Sequence, residues 1–328
     1  MNVETILKAL ADPTRLRIMR LLAAMELAVG ELAQVLGQSQ PRVSRHVGIL
    51  CDAGLAERRR EGSWVFLHAA SQADGEVPLI GAVIHLLATA EREDEGFARQ
   101  CLEDRRKLSA IRAAREEAAQ AWFQRHAGEW DELRRLHSAD EQVEQELLDA
   151  LGHGGLGHVL DIGTGTGRIA ELLADDAASI VALDKSLEML KLARARLQHL
   201  PAGKIELVQG DFTDLPFAEA LFDTVVLHQV LHFAQLPEVA LQEAARVTRP
   251  GGRIAIVDFA AHGREELRER HAHARLGFSD RQMRDLLREA GFSAAAPIAL
   301  EGGELVVKIW LGQRRDKAPA TTLKEQRA

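Results

Sequence analysis

The chain has no tyrosine, two cysteines, nine prolines and 4% aromatic residues in 328 positions. Cys51 and Cys101 stand far apart with no CxxC spacing, which excludes a disulfide framework and a thiolate metal site. No run approaches the ~20 uninterrupted apolar residues of a membrane span. The opening MNVETILKALADPTRLRI also lacks the basic-then-apolar order of a secretion signal, so the expectation is a cytoplasmic protein with no membrane partner. Basic residues are in deficit as well: 41 Lys/Arg against 49 Asp/Glu give a net charge of −8, which argues against nucleic acid because phosphate affinity comes from basic surface. The distribution reverses that argument locally. Residues 1–70 carry nine basic and seven acidic side chains, residues 313–328 five and two, and the interval 71–312 carries 27 and 40. A mildly basic head and tail thus flank an acidic body, and the length suggests about two domains.

From Val3 to Leu10 apolar residues recur at helical spacing, and Asp12-Pro13-Thr14 forms a turn whose proline opens a second helix through RLRIMRLLA. Two shorter helical stretches follow, GELAQVLG and SQPRVSRHVGILCDAG, joined at Gly37, with Ser39 as cap and Pro41 in the first turn. The next stretch, LAERRREGSWVFLHAA, reads as a β-hairpin turning at Gly62-Ser63. Together these elements make an α+β winged helix-turn-helix. Gln40, Arg42, Ser44, Arg45 and His46 stand at the start of its second short helix, where side chains reach base edges and phosphates in a major groove. Val43, Val47 and Leu50 fall inward as core, and Arg58, Arg59 and Arg60 on the hairpin are placed for phosphate or minor-groove contact. The expected partner is therefore double-stranded DNA.

Across residues 3–69 these phrases, in this order, resemble the ArsR/SmtB family of winged-helix regulators. The resemblance implies a homodimer on a roughly palindromic operator. Members of that family commonly sense metals through a cysteine pair in the helix before the reading helix. Here the aligned phrase, Glu26 to Leu32, has Ala28 and Gly30 at those places, and His85, Glu91 and Asp94 lack the paired spacing of the family's second site. No metal is expected.

Residues 76–150 are Ala-rich, charged and helical, interrupted at Gly96 and Gly128, and read as a connector and dimerisation segment rather than a flexible linker. Strands and helices then alternate: HVLDI, SIVALD, KIELVQ, FDTVVL and RIAIVDF with helices between them, then two strands around Glu301-Gly302-Gly303 that must pair antiparallel. That order predicts an α/β doubly wound, Rossmann-like body. The resulting division is 1–75, 76–150, 151–312, and a flexible basic tail over 313–328.

Inside the body, HVLDI runs into Gly163-Thr164-Gly165-Thr166-Gly167 and a helix starting near Arg168, a strand-to-helix turn that presents amide donors to a ligand. It is neither a dinucleotide GxGxxG nor a P-loop. Asp184 ends the second strand, where a carboxylate can accept from both ribose hydroxyls; Asp211-Phe212 follows the third, with a carboxylate for an exocyclic amine and a ring for a base. Met189 is either plain core or a contact to the base. The phrases VLDIGTGTG, LDKSLEML, GDFTDLPF, FDTVVLHQVLHF and RVTRPGGRIAIVDF resemble class I S-adenosylmethionine-dependent methyltransferases over residues 157–312, nearest to the ubiquinone/menaquinone C-methyltransferase group. The resemblance implies a seven-stranded sheet binding S-adenosyl-L-methionine or S-adenosyl-L-homocysteine. It places Asp161, Gly163, Gly165 and Gly167 at the amino-acid portion, Asp184 at the ribose and Asp211 with Phe212 at the adenine.

His228 and His232, four residues apart beyond the fourth strand, are candidates where a small-molecule acceptor must lose a proton. His228, which directly leaves the strand, is the first choice, against the alternative of a hydrogen-bonded structural histidine. His271 and His273, two apart, would not share a helix face. Trp122, Phe123 and Trp130 in AWFQRHAGEW resemble the N-terminal lid of the same methyltransferase group, with core packing as the alternative. Two functions stay open: a regulator that also methylates a small molecule, and a regulator whose body senses the cofactor without turnover.

Overall fold

In a computed structural model the described residues are 2–24, 27–61, 64–70, 78–126, 140–152, 155–201, 203–301 and 304–315. The chain divides into two units, one of residues 1–122 with 262–272 and one of residues 123–261 with 273–328.

In the first unit Asn2 caps α1 (Val3–Leu10), its side chain accepting from the Glu4 amide at 3.0 Å. Asp12 then accepts from the Arg15 amide at 3.1 Å, and Pro13 begins α2 (Pro13–Ala24), where its missing N–H leaves no hydrogen bond unmade. After β1 (Leu27–Ala28) comes α3 (Val29–Leu36), which ends at Gly37 in the left-handed conformation, φ 63. Two residues later α4 (Gln40–Asp52) begins with Pro41 in its first turn. The wing follows as β2 (Ala56–Glu61) and β3 (Trp64–Ala69), paired antiparallel, and β1 closes the other edge of β3. The expected turn at Gly62-Ser63 lies outside the described residues. Val43, Val47 and Leu50 are buried, as their spacing predicts, in one cluster with Ile18, Met19 and Leu22 of α2.

Two further helices, α5 (Pro78–Glu93) and α6 (Glu95–His126), complete the picture, with Asp94 accepting from the amides of Gly96 and Phe97 at 2.8 and 3.0 Å. Ion pairs fasten α2 to this pair. Arg17 grips buried Asp104 bidentately at 2.7 and 2.6 Å, and Glu91 takes both Arg20 and Arg105.

The second unit opens with α7 (Asp140–Leu151), and its strands are β4 (His158–Ile162), β5 (Ser179–Asp184), β6 (Ile205–Gln209), β7 (Phe222–His228), β8 (Thr248–Phe259), β9 (Phe292–Ala294), β10 (Ile298–Leu300) and β11 (Val307–Arg314). They form one sheet in the order β10-β11-β8-β7-β4-β5-β6, with β9 beside β11. Strands β4 to β8 run parallel, while β9 and β10 both pair antiparallel with β11, which itself runs antiparallel to β8. The seven-strand path is the expected one; β9 is an addition. The further helices of this unit are α8 (Arg168–Leu173), α9 (Leu187–Leu197), α10 (Pro237–Val247) and α12 (Asp280–Ala290), while α11 (Glu265–Arg270) belongs to the first unit. Residues of β7 and β8 such as Val225, Val226, Ile254 and Ile256 are fully buried, which explains their continuous apolar runs. The chain reverses direction at β4, which has β5 on one side and β7 on the other. Such a switch point opens a crevice beyond the carboxyl ends of the strands. Gln313 and Arg314 do not belong to a tail: β11 continues through them, pairing with Arg253 of β8 and with Ser293 and Phe292 of β9.

Candidate functional site

The carboxyl ends of β4, β5 and β6 bring the predicted body residues to one edge of the sheet. Gly163 leaves β4 with φ 71, and a Cβ there would lie 2.4 Å from the Val230 side chain, so only glycine fits the approach. The amides of Gly163 and Thr164 donate to the Leu183 carbonyl at 2.8 and 2.9 Å, and that of Gly165 donates to Asp184 Oδ2 at 2.9 Å. Asp184 Oδ1 accepts in turn from the Ser186 amide at 2.8 Å. This carboxylate therefore fastens the glycine loop to the turn after β5. Burial raises its pKa, while the Ser186, Gly165 and Lys185 amides work in the opposite direction.

Asp161 stands on β4, just before the loop. It is 1% exposed, and among the described residues no well-formed hydrogen bond reaches either carboxylate oxygen or the neighbouring Thr164 hydroxyl. Burial pushes its pKa up to about 7, the charge on Asp184 adds to the effect, and the Thr164 hydroxyl and Ala170 amide offset it only in part. Met189 is buried in the first turn of α9, whose cap is the Ser186 hydroxyl. At the end of β6, Asp211 accepts from Lys185 Nζ at 2.8 Å and from the Thr213 amide and hydroxyl at 2.8 and 2.7 Å. Burial opposes its ionisation, but these partners outweigh burial and hold the carboxyl below the usual range. Phe212 is half-buried against the apolar core of the sheet.

Beyond β7 the structure gathers residues that spacing alone does not. His228 is buried as the last residue of its strand, and Gln229 follows with φ 51. His232, in the short 3-10 turn Leu231–Phe233, pairs through Nδ1 with Asp258 Oδ1 at 2.8 Å, and its amide donates to Asp258 Oδ2 at 3.1 Å. His273 lies against the same imidazole with ring centroids 4.2 Å apart. His271 and His273 lie beyond the helix, since α11 ends at Arg270 and Ala272 takes φ 57, so helical spacing does not govern where His273 stands. Asp258 was missed in the sequence. Its only signal was a carboxylate ending an otherwise apolar strand.

On α4, Gln40, Arg42, Ser44 and Arg45 are exposed. His46 parts from them: it is half-buried, with Nδ1 3.6 Å from Asp12. Arg58 is exposed on β2, and its guanidinium lies 3.4 Å from where a Cβ on Gly48 of α4 would stand. Arg60 lies on β2 with its side chain outside the described ones, as do the side chains of Trp122 and Phe123; Trp130 is outside the described residues altogether. Among the described residues no group of three or more His, Cys, Asp or Glu is arranged to hold a metal ion, and no helix is long and apolar enough to cross a membrane.

Comparison with known proteins matches residues 12–58 to the bacterial regulatory protein, arsR family, and residues 160–256 to the methyltransferase domain. A demethylmenaquinone methyltransferase of Renibacterium salmoninarum is 40% identical over 114 residues, 35% of this chain and 46% of that one. The chain thus spans about half the length of this relative. An O-methyltransferase, resE, of Aspergillus sclerotiorum is 32% identical over 178 residues, 51% of this chain and 67% of that one. Among solved structures, Burkholderia thailandensis 1,6-didemethyltoxoflavin-N1-methyltransferase, with bound 1,6-didemethyltoxoflavin and S-adenosylhomocysteine, superposes with a TM-score of 0.50 at 21% identity, covering 61% of this chain and 90% of that one. At that identity the likeness shows the fold.

Proposed function

Since this chain belongs to the arsR family of bacterial regulatory proteins in its N-terminal part and to the methyltransferase domain family in its C-terminal part, we propose that it is a DNA-binding transcriptional regulator whose body binds S-adenosylmethionine and methylates a small molecule. The observation that carries the cofactor reading is Asp161. A buried carboxylate with no well-formed hydrogen bond among the described residues, beside a glycine loop at the sheet's switch point, is the chemistry that an ammonium group completes. The amino-acid portion of the cofactor supplies such a group, and the cradle over Gly163, closed to any side chain by Val230, admits only close backbone approach. The residues present fit the cofactor.

In this reading Asp161 with Gly163, Gly165 and Gly167 holds the amino-acid portion. Asp184 receives the ribose while keeping the loop in place, and Asp211 exchanges Lys185 or Thr213 for the adenine amine, with Phe212 and Met189 beside the base. Bound S-adenosylmethionine supplies an activated methyl on a sulfonium. The chain's own contribution is to align donor and acceptor and to exclude water. In the head, Gln40, Arg42, Ser44 and Arg45 of α4 read the major groove, with His46 at its edge, and Arg58 and Arg60 hold phosphates or the minor groove. A homodimer reads the two halves of a near-palindrome. Incubation with methyl-labelled cofactor and a cell extract tests the enzyme: a labelled small product is expected, and its absence across extracts despite tight cofactor binding would sink the catalytic reading.

A second reading is favoured by the joining of a DNA-reading unit to a cofactor-binding one in a single chain: the body senses cofactor without turnover. Sensing requires unequal affinity of the two DNA-binding states for the ligand. Operator titrations with S-adenosylmethionine and with S-adenosylhomocysteine decide it, and superimposable curves rule it out.

A further inference from the structure

We propose that His232, oriented by Asp258, is the general base that takes a proton from the methyl acceptor, and that the acceptor is therefore a protic nucleophile, a hydroxyl or an enolic carbon acid. The inference rests on the catalytic reading above and deepens it.

Its first support is topological. β7 and β8 run parallel with His228 opposite Val257, so the chain leaving β7 passes beside the end of β8 and brings His232 to Asp258. Asp258 is fully buried and accepts three hydrogen bonds, from His232 Nδ1 at 2.8 Å, the His232 amide at 3.1 Å and the Phe259 amide at 2.7 Å. A carboxylate only accepts, so Nδ1 carries its hydrogen and the lone pair of the neutral ring falls on Nε2. Among the described residues nothing hydrogen-bonds that nitrogen. A buried structural histidine is expected to satisfy both of its nitrogens; this one has a single nitrogen fixed and the other left for a ligand.

The second support is rigidity and place. The rings of Phe233, His273 and Phe259 pack around His232 with centroids at 4.0, 4.2 and 5.1 Å, which fixes the plane of the imidazole. Val230, two residues earlier, is the residue that seals Gly163 of the cofactor loop. The basic nitrogen thus stands on the stretch that lies against that loop. The other ionisable groups around it are His228 at the end of β7, His273 against its face, and Arg275, whose amide donates to the His232 carbonyl at 2.9 Å and whose guanidinium donates to the Gln235 carbonyl at 2.9 Å. In the step, His232 Nε2 takes the acceptor's proton while the freed electron pair forms the bond to the transferred methyl. The departing sulfur keeps the electrons of its former bond to that carbon, and Asp258 stabilises the imidazolium.

The test uses the full-length chain labelled with 15N-histidine and saturated with S-adenosylhomocysteine. The wild-type imidazole, identified by its loss in His232→Gln, is expected to carry its proton on Nδ1. In Asp258→Asn either orientation of the amide sets its N–H against a backbone N–H, that of His232 or that of Phe259, so the carboxylate that holds the ring proton on Nδ1 is lost and the tautomer is no longer fixed there. Both variants should transfer labelled methyl to extract acceptors about 10²–10⁴-fold more slowly, with S-adenosylhomocysteine affinity within about threefold of wild type. A wild-type ring protonated on Nε2, or variants that transfer at the wild-type rate, overturns the proposal alone. A wild type that binds S-adenosylhomocysteine yet transfers no label overturns the catalytic reading and this inference with it. Should Asp258→Asn fail to fold, the wild-type tautomer and His232→Gln decide.

Discussion

Replacing Asp161 with asparagine separates two consequences of one buried carboxylate. In the wild type the group has a pKa of about 7 against an ordinary 3.8, because burial and the nearby Asp184 disfavour its charge. A carboxyl whose folded pKa is raised keeps a proton that the unfolded chain has already lost. Its contribution to stability is therefore greatest below pH ~4 and is lost as the pH rises towards 7. A shift of this size corresponds to roughly 4 kcal/mol over the full range, and about 2–3 kcal/mol of it falls between pH 5 and 8. Asparagine has no such dependence. Without ligand, Asp161→Asn should gain on the wild type across that interval and then hold a constant lead, worth several degrees in the melting of the C-terminal unit. Cofactor binding should change in the opposite direction. The wild type should bind S-adenosylhomocysteine more tightly as the pH rises through about 7, whereas the asparagine variant should bind on the order of 2–4 kcal/mol more weakly with a flatter profile, because the ammonium loses its charged partner. Melting curves and calorimetric titrations at four pH values read both effects. An asparagine variant that binds as tightly as wild type, or a difference in melting that does not vary with pH, would refute the reasoning.

Asp184→Ala should weaken S-adenosylhomocysteine binding in a titration while leaving DNA affinity of the ligand-free protein unchanged, since it removes the acceptor of the Gly165 and Ser186 amides without touching the head. Gly163→Val should abolish cofactor binding outright, because its side chain would meet that of Val230; retained affinity in equilibrium dialysis would show that the approach is not tight. Arg17→Ala strands Asp104, which is 1% exposed, and should cost about 3–5 kcal/mol in denaturant unfolding of the first unit. Arg45→Ala should weaken binding to a selected operator and flatten the log–log salt dependence by about one, whereas His46→Ala, half-buried beside Asp12, should leave the salt slope as it is.

What the sequence disclosed and what it hid follow from how local each signal is. The glycine loop was legible because strand, glycines and helix are contiguous in the chain. Val43, Val47 and Leu50 were legible because helical periodicity sorts them inward. The two-residue strand β1 was not, since alternation cannot declare itself over Leu27 and Ala28. The orientation of His46 was also hidden, because Asp12 reaches it from the turn between α1 and α2. The pairing of His232 with Asp258, 26 residues apart in sequence, depends on β7 and β8 lying side by side, and no short-range pattern carries that information. His273 needed more still: a helix ending at Arg270 and a left-handed Ala272. The negative total charge misled for a comparable reason. It sums a head whose exposed arginines stand on α4 and β2 with an acidic body that follows different demands.

The measurement that bears most directly on the account is a calorimetric titration of the full-length protein with S-adenosylhomocysteine, repeated with Asp161→Asn. One saturable site per chain, tight in the wild type and strongly weakened in the variant, is the predicted result. Absence of saturable binding by the wild type, or equal binding by both proteins, would contradict the assignment of the glycine loop and Asp161 as the cofactor site.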